Sequence, residues 1–202
     1  MTAKEFWKDF LAKIEQRQEE LKRWWREPAL FTDHMRNALT EIIRGRNPSN
    51  EFIVQPEYFN IDLTGWEQKK RCPEEHLAVS EDFGTYRLKK YAWNFDIAIE
   101  HENDKSLWMD EVIKLAYIFC DLRIVIGYFP YVKEDKIGTQ QRYLDAICDT
   151  IKTLKCHENM NHGEFMIILG DVASSKAEGF KELVYTPYLY SKSEGKFKLL
   201  VE

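Results

Sequence analysis

From Phe95 to Phe129 the chain changes period twice, and few folds accommodate that order. In a strand opening near Tyr86, Tyr91, Trp93, Phe95, Ile97 and Ile99 share one face, while Ala92, Asn94, Asp96, Ala98, Glu100 and Glu102 share the other. Leu107, Trp108, Val112, Leu115, Ala116 and Phe119 then recur at helical spacing behind Asp104 or Ser106 as cap, and Leu122 to Phe129 is an unbroken apolar strand. Two strands joined through a helix in this way lie parallel in one sheet.

The flanking sequence extends the same layered plan. Phe6, Trp7, Phe10, Leu11, Ile14, Leu21, Trp24 and Trp25 predict an amphipathic helix, opened by Thr2 and Glu5 as a capping box and ending before Pro28. A second helix is expected from about Thr32 to Arg44, with Gly45 as its stop. Phe59, Ile61 and Leu63 alternate with Tyr58, Asn60, Asp62 and Thr64 as a strand, and Glu67 to Thr85 reads as an irregular excursion. Helices from Thr139 to Leu154 and from Ser175, a strand from Phe165 to Leu169, and a hairpin turned at Glu194-Gly195 continue the α/β alternation. The fold class is therefore α/β, a central mixed sheet flanked by helices, with an added N-terminal helix that packs on the sheet or meets a partner, a homodimer included.

Of 202 residues 44% are apolar, enough for one core, so residues 1–202 read as a single domain: an extension over 1–27, a core over 30–130 and an α/β completion over 131–202. Met1 to Gln16 mixes Lys and Glu, and no apolar run approaches the roughly 20 residues of a spanning helix, so a cytoplasmic protein without membrane contact is expected. The four cysteines then read as reduced, buried thiols. A net charge of −5 excludes a general nucleic-acid coat but leaves room for a basic groove beside an acidic site.

No G-x-G-x-x-G, G-x-x-x-x-G-K-[ST], H-E-x-x-H or G-x-S-x-G motif is present, which removes the usual dehydrogenase, P-loop, zincin and serine-hydrolase readings. What stands out is Glu100-His101-Glu102 on the polar side of the apolar strand. Asp62, on the polar face of the neighbouring strand, would bring a third carboxylate, and three close anions repel unless a hard cation, Mg²⁺ or Mn²⁺, neutralises them. Such a centre suits hydrolysis of a phosphodiester.

At these residues the chain resembles the PD-(D/E)xK, or restriction-endonuclease-like, nuclease superfamily. Phe59-Asn60-Ile61-Asp62 is similar to the Asp-bearing strand, Ile97 to Glu102 to the D/E-x-K strand, and Ser106 to Cys120 with Leu122 to Gly127 to the helix and strand that follow, so that Thr32 to Tyr128 is covered. The resemblance implies a restriction-endonuclease-like core and a Mg²⁺-dependent (or Mn²⁺-dependent) nuclease acting on DNA rather than RNA. Asp62 and Glu100 would be metal ligands, with the His101 carbonyl as a third and Glu41 in the accessory acid position. No Pro precedes Asp62, and Glu102 stands where the family has lysine, an E-x-E variant, which would make Glu102 a ligand or general base. The family lysine can also be displaced onto the following helix, which brings in Lys114. The alternative is a nuclease-like scaffold that has lost its lysine and binds nucleic acid or a protein.

The other chemistry-bearing residues carry less. Lys69, Lys70 and Arg71 could contact phosphates, though such runs are usually solvated faces. The His101 side chain falls on the buried side of its strand, and Asp96, two pleats back from Glu100, suits a structural hydrogen bond. Cys72 with His76, and Cys156 with His157 and His162, fit no zinc spacing. Trp66 is the one tryptophan placed to face a substrate.

Overall fold

Two long helices open the chain, and one mixed sheet takes up most of the rest. The computed structural model of the protein describes residues 1–25, 27–49, 52–58, 60–67, 95–104, 107–129, 135–171 and 184–201. Helix α1 spans Ala3–Trp24, and its capping box is formed: the Glu5 N–H donates to Thr2 Oγ1 and the Thr2 N–H donates to Glu5 Oε2 at 2.8 Å. Helix α2 spans Pro28–Arg46 rather than starting at Thr32, because Pro28 at its first position needs no N–H partner there. It also runs through Gly45. Arg46 is held by Asp9 of α1, and Asn47 closes the end by giving its backbone N–H to Arg44 and its side-chain amide to Ile43.

The strands are β1 (Phe52–Tyr58), β2 (Ile61–Glu67), β3 (Phe95–His101), β4 (Cys120–Phe129), β5 (Glu164–Asp171), β6 (Tyr185–Ser191) and β7 (Lys196–Leu199). They lie side by side in chain order. The β3–β4 and β4–β5 pairs are parallel and the other four antiparallel. Helix α3 (Trp108–Ala116) makes the β3–β4 crossover, and α4 (Lys136–Lys152) with a 3₁₀ helix (Lys155–Asn161) makes the next. The expected crossover and the C-terminal hairpin are both present, Gly195 taking a φ of 64° at the turn.

One expected strand is in fact two. The chain reverses between Tyr58 and Ile61, where Asn60 adopts φ 58°, a conformation that Asn tolerates better than most residues. The helix expected to open at Asp104 or Ser106 opens at Trp108, with no side-chain cap. It closes before Phe119, which is exposed, and Cys120 already belongs to β4.

Both faces of the sheet are covered. α1 and α2 pack on one, against Leu63, Ile97, Ile99, Ile124 and Ile126. α3 and α4 pack on the other, against Ala98, Val125, Ile167 and Leu169. The apolar stripe of α1, including Phe6, Trp7, Phe10 and Ile14, is buried within the chain, so the stripe that might have reached a partner is covered by α2 and the sheet. No helix among the described residues is long and apolar enough to cross a membrane. Lys69, Lys70, Arg71, Cys72, His76, Trp93 and the segment from Ser175 lie outside the described residues.

Candidate functional site

The β2–β3 ladder places the two central carboxylates. Leu63 pairs with Ile99 and Thr64 with Ala98, so one residue further on Asp62 stands opposite Glu100. There side chains take over from the backbone ladder. The Asp62 N–H donates to Glu100 Oε2 at 3.4 Å, and the His101 N–H donates to Asp62 Oδ2 at 2.8 Å. Each carboxylate therefore satisfies a backbone donor on the opposite strand, which holds the pair together where the strands separate.

Glu100 does not lie on an open polar face, as the alternation had suggested. It is 2% exposed, because α3 covers this side of the sheet through Trp108, Val112, Leu115 and Ala116. From α3, Lys114 reaches down so that its Nζ lies 2.8 Å from Glu100 Oε1 and donates to the Asn60 carbonyl at 3.0 Å. It also pairs with Glu111, one turn earlier on the same helix face. Burial pushes the Glu100 carboxyl up to about 8 despite the lysine, with Asp62 and Glu111 adding to the rise. For Lys114 burial acts downward, but the bonds to Glu100 and Glu111 outweigh it and hold the ammonium above the usual lysine range.

The other expected site residues separate. Glu102 gives its backbone N–H to Ile126 and turns its carboxylate back to accept the Asp104 N–H at 2.7 Å. Among the described residues no hydrogen bond or ion pair joins Glu102 to Asp62 or Glu100. Glu41 is on the far layer of the molecule. It is exposed, pairs with Lys13 at 3.2 Å and with Arg17 on the α1–α2 seam, and so does not occupy an accessory acid position. The N-terminal end of α2 is the part near the site, where Asn103 donates to the Pro28 carbonyl at 3.2 Å and to Thr32. Glu41 follows Thr32 by nine residues, about 13 Å along the helix at its ordinary rise.

The His101 ring lies on the α2 side, as the strand parity predicted, with Nε2 2.9 Å from the Tyr128 hydroxyl and the ring against Phe31. Burial lowers it to about 3, so it is neutral. Asp96 accepts the Glu67 N–H at 2.8 Å, a structural bond. Trp66 does not face a substrate: it is buried and tilted against Tyr58 and Phe95.

Glu111 and the Asn60 carbonyl were not foreseen. Glu111 could have been found from its three-residue spacing to Lys114, whereas the carbonyl depends on the reversal at Asn60. Among the described residues no group of three or more His, Cys, Asp or Glu side chains is arranged to hold a metal ion. An ammonium takes oxygens at about 2.8 Å, while Mg²⁺ needs them at about 2.1 Å, so oxygens spread around Lys114 stand too far apart for a metal shell. Comparison with protein families, with curated proteins and with solved structures finds no match.

Proposed function

We propose that the protein is a divalent-metal-dependent phosphodiester hydrolase acting on DNA, a nuclease of the PD-(D/E)xK type with its lysine displaced onto α3. The observation that carries this reading is the juxtaposition of Asp62 and Glu100 on adjacent strands with the Lys114 ammonium 2.8 Å from Glu100. The order α2, β1, β2, β3, α3, β4 agrees with the helix, three strands, helix and strand of that superfamily. Glu102, in the family lysine's place, is bonded into its own turn, which among the described residues leaves Lys114 as the cation beside the acids.

The donor chemistry, oxygens only, is that of Mg²⁺ or Mn²⁺, although the spacing of these oxygens around Lys114 is an ammonium's. Asp62 and Glu100 would hold the metal, with the His101 carbonyl as a third ligand. A bound cation supplies a polarised phosphate oxygen and an acidified water. Lys114 would orient and neutralise the scissile phosphate, and Glu102, half-exposed at the end of β3, would take a proton from the water.

A second reading, a nuclease-like scaffold without activity, is favoured by the lack of a preformed three-acid cluster among the described residues. Cleavage of plasmid and single-stranded DNA with Mg²⁺ and with Mn²⁺ separates the two. Metal-dependent cutting that falls at least a hundredfold in Asp62→Asn is expected for the enzyme, since loss of a metal ligand costs about that much or more. Absence of cutting with every metal and substrate, alongside retained DNA binding, would establish the scaffold.

A further inference from the structure

Oxygens from three separate pieces of the chain locate the Lys114 ammonium. Glu100 Oε1 on β3 lies 2.8 Å from Nζ, the Asn60 carbonyl at the chain reversal lies 3.0 Å away, and Glu111 Oε2 approaches from α3. The first two acceptors belong to the sheet: Glu100 is buried and accepts the Asp62 N–H, and Asn60 closes the reversal between β1 and β2 at a φ of 58°. Glu111 is the contact that shares the lysine's own helix. A lysine carries a point charge on a flexible stem of high rotamer entropy, so the charge keeps one position only when contacts hold it from opposing directions. Asp110, at i,i+4 spacing to Lys114, is exposed; it is Glu111, at i,i+3, that the ammonium meets. Glu111 Oε2 is fully enclosed, and this ammonium satisfies it.

We propose that Glu111 is a positioning residue, which with Glu100 and the Asn60 carbonyl holds the Lys114 ammonium at one set point beside the Asp62–Glu100 pair. This rests on the reading that Lys114 is the displaced lysine of a phosphodiester hydrolase. Glu111 lies outside the expected motif and acts only through Lys114. A charge fixed in advance stabilises a developing phosphate charge without reorganising during the reaction, whereas a wandering one must first be brought into place.

Steady-state cleavage of DNA by the full chain tests the role, with folding of each variant followed by circular dichroism. Glu111→Ala is expected to lower kcat about tenfold with KM within about twofold of wild type. Glu111→Gln, whose amide oxygen still accepts an ammonium N–H, is expected to recover most of that loss, which a purely stabilising carboxylate would not do. Glu111→Ser is a second truncation should the alanine chain misfold. A further measurement needs no substrate. In ¹⁵N-labelled protein, kept cold at mildly acidic pH, a Lys114 ammonium signal identified by its absence from Lys114→Met is expected in wild type and Glu111→Gln and should be lost in the truncations. Wild-type kcat in a folded truncation, a Glu111→Gln chain no better than Glu111→Ala, or a Lys114 signal absent from wild type or unchanged by truncation overturns the positioning role while the nuclease reading stands. A wild-type chain that cuts no DNA with Mg²⁺ or Mn²⁺ overturns the nuclease reading, and the role with it.

Discussion

One substitution made at two glycines has opposite expected effects, because of what each position meets. Gly127 lies in β4 beneath the start of α3, and a β-carbon there would sit 2.6 Å from Trp108 Cβ and 2.7 Å from its Cγ. Non-bonded carbons prefer about 3.5–4.0 Å, so a Gly127→Ala chain must open roughly 1 Å between helix and sheet. Trp108 cannot give way alone, since it is 1% exposed and closed in by the α3–α4 core. Overpacking of this kind costs about 1–3 kcal/mol. Gly45, by contrast, is helical with nothing within 4 Å of an added β-carbon, so Gly45→Ala should stabilise by up to about 1 kcal/mol through helix propensity. For a chain of this size the two shifts correspond to roughly 2–12 °C down and up to 4 °C up in Tm. Lys114 rides on the helix that Gly127→Ala displaces, so under the proposed metal reading the same variant should also change Mn²⁺ affinity, whereas Gly45→Ala should leave it unchanged. Denaturant midpoints and calorimetric titration read both effects. A Gly127→Ala protein as stable as wild type, with unaltered metal affinity, would refute the claim that Trp108 seats α3 and its lysine against the sheet.

Two further outcomes follow from buried titratable groups. His101 is held neutral at about 3 against an ordinary 6.5, so the unfolded chain takes up its proton first; the stability this group contributes is complete above pH 6.5 and is lost as pH falls toward 3, by up to about 5 kcal/mol. Urea midpoints at pH 7 and pH 4.5 should therefore differ less in His101→Gln, which keeps a partner for the Tyr128 hydroxyl and cannot charge, and an equal acid loss in both proteins would contradict the burial argument. Burial also raises all three described thiols, Cys120 to about 12, so Cys120, Cys148 and Cys156 should resist alkylation in native protein at pH 8 and react on unfolding. Prompt labelling of Cys120, identified by peptide mass spectrometry, would show that the β4 end is open.

Features that depend on neighbours within a few residues could be read directly. The Thr2–Glu5 cap, the buried stripes of α1 and α2 and the turn at Gly195 are local, and each is found, whereas Leu11, Leu107 and Phe119 of the expected stripes are exposed. The parity of β3 correctly sent Ile97, Ile99 and His101 to one side and Glu100 to the other, because alternation is a property of the strand itself. Parity does not say whether a face is wet. Glu100 looked exposed because its neighbours are polar, yet α3 lies over it, and only Lys114 from that helix explains how a carboxylate can stay there. Glu41 failed for the same reason in reverse: a helix-face acid can be assigned to a layer only when the packing of that helix is known.

The amino-acid order by itself determined an α/β chain, with Asp62 and Glu100 on strands and an acid-rich end to β3, since periodicity and side-chain chemistry are written residue by residue. The tertiary structure decided the membership of the site. The reversal at Asn60 delivers a backbone carbonyl, the β2–β3 register sets Asp62 opposite Glu100, and the seating of α3 by Trp108 lowers Lys114 and Glu111 onto them. These residues come from three elements, and the distances between them are set by how those elements pack, which no local pattern records.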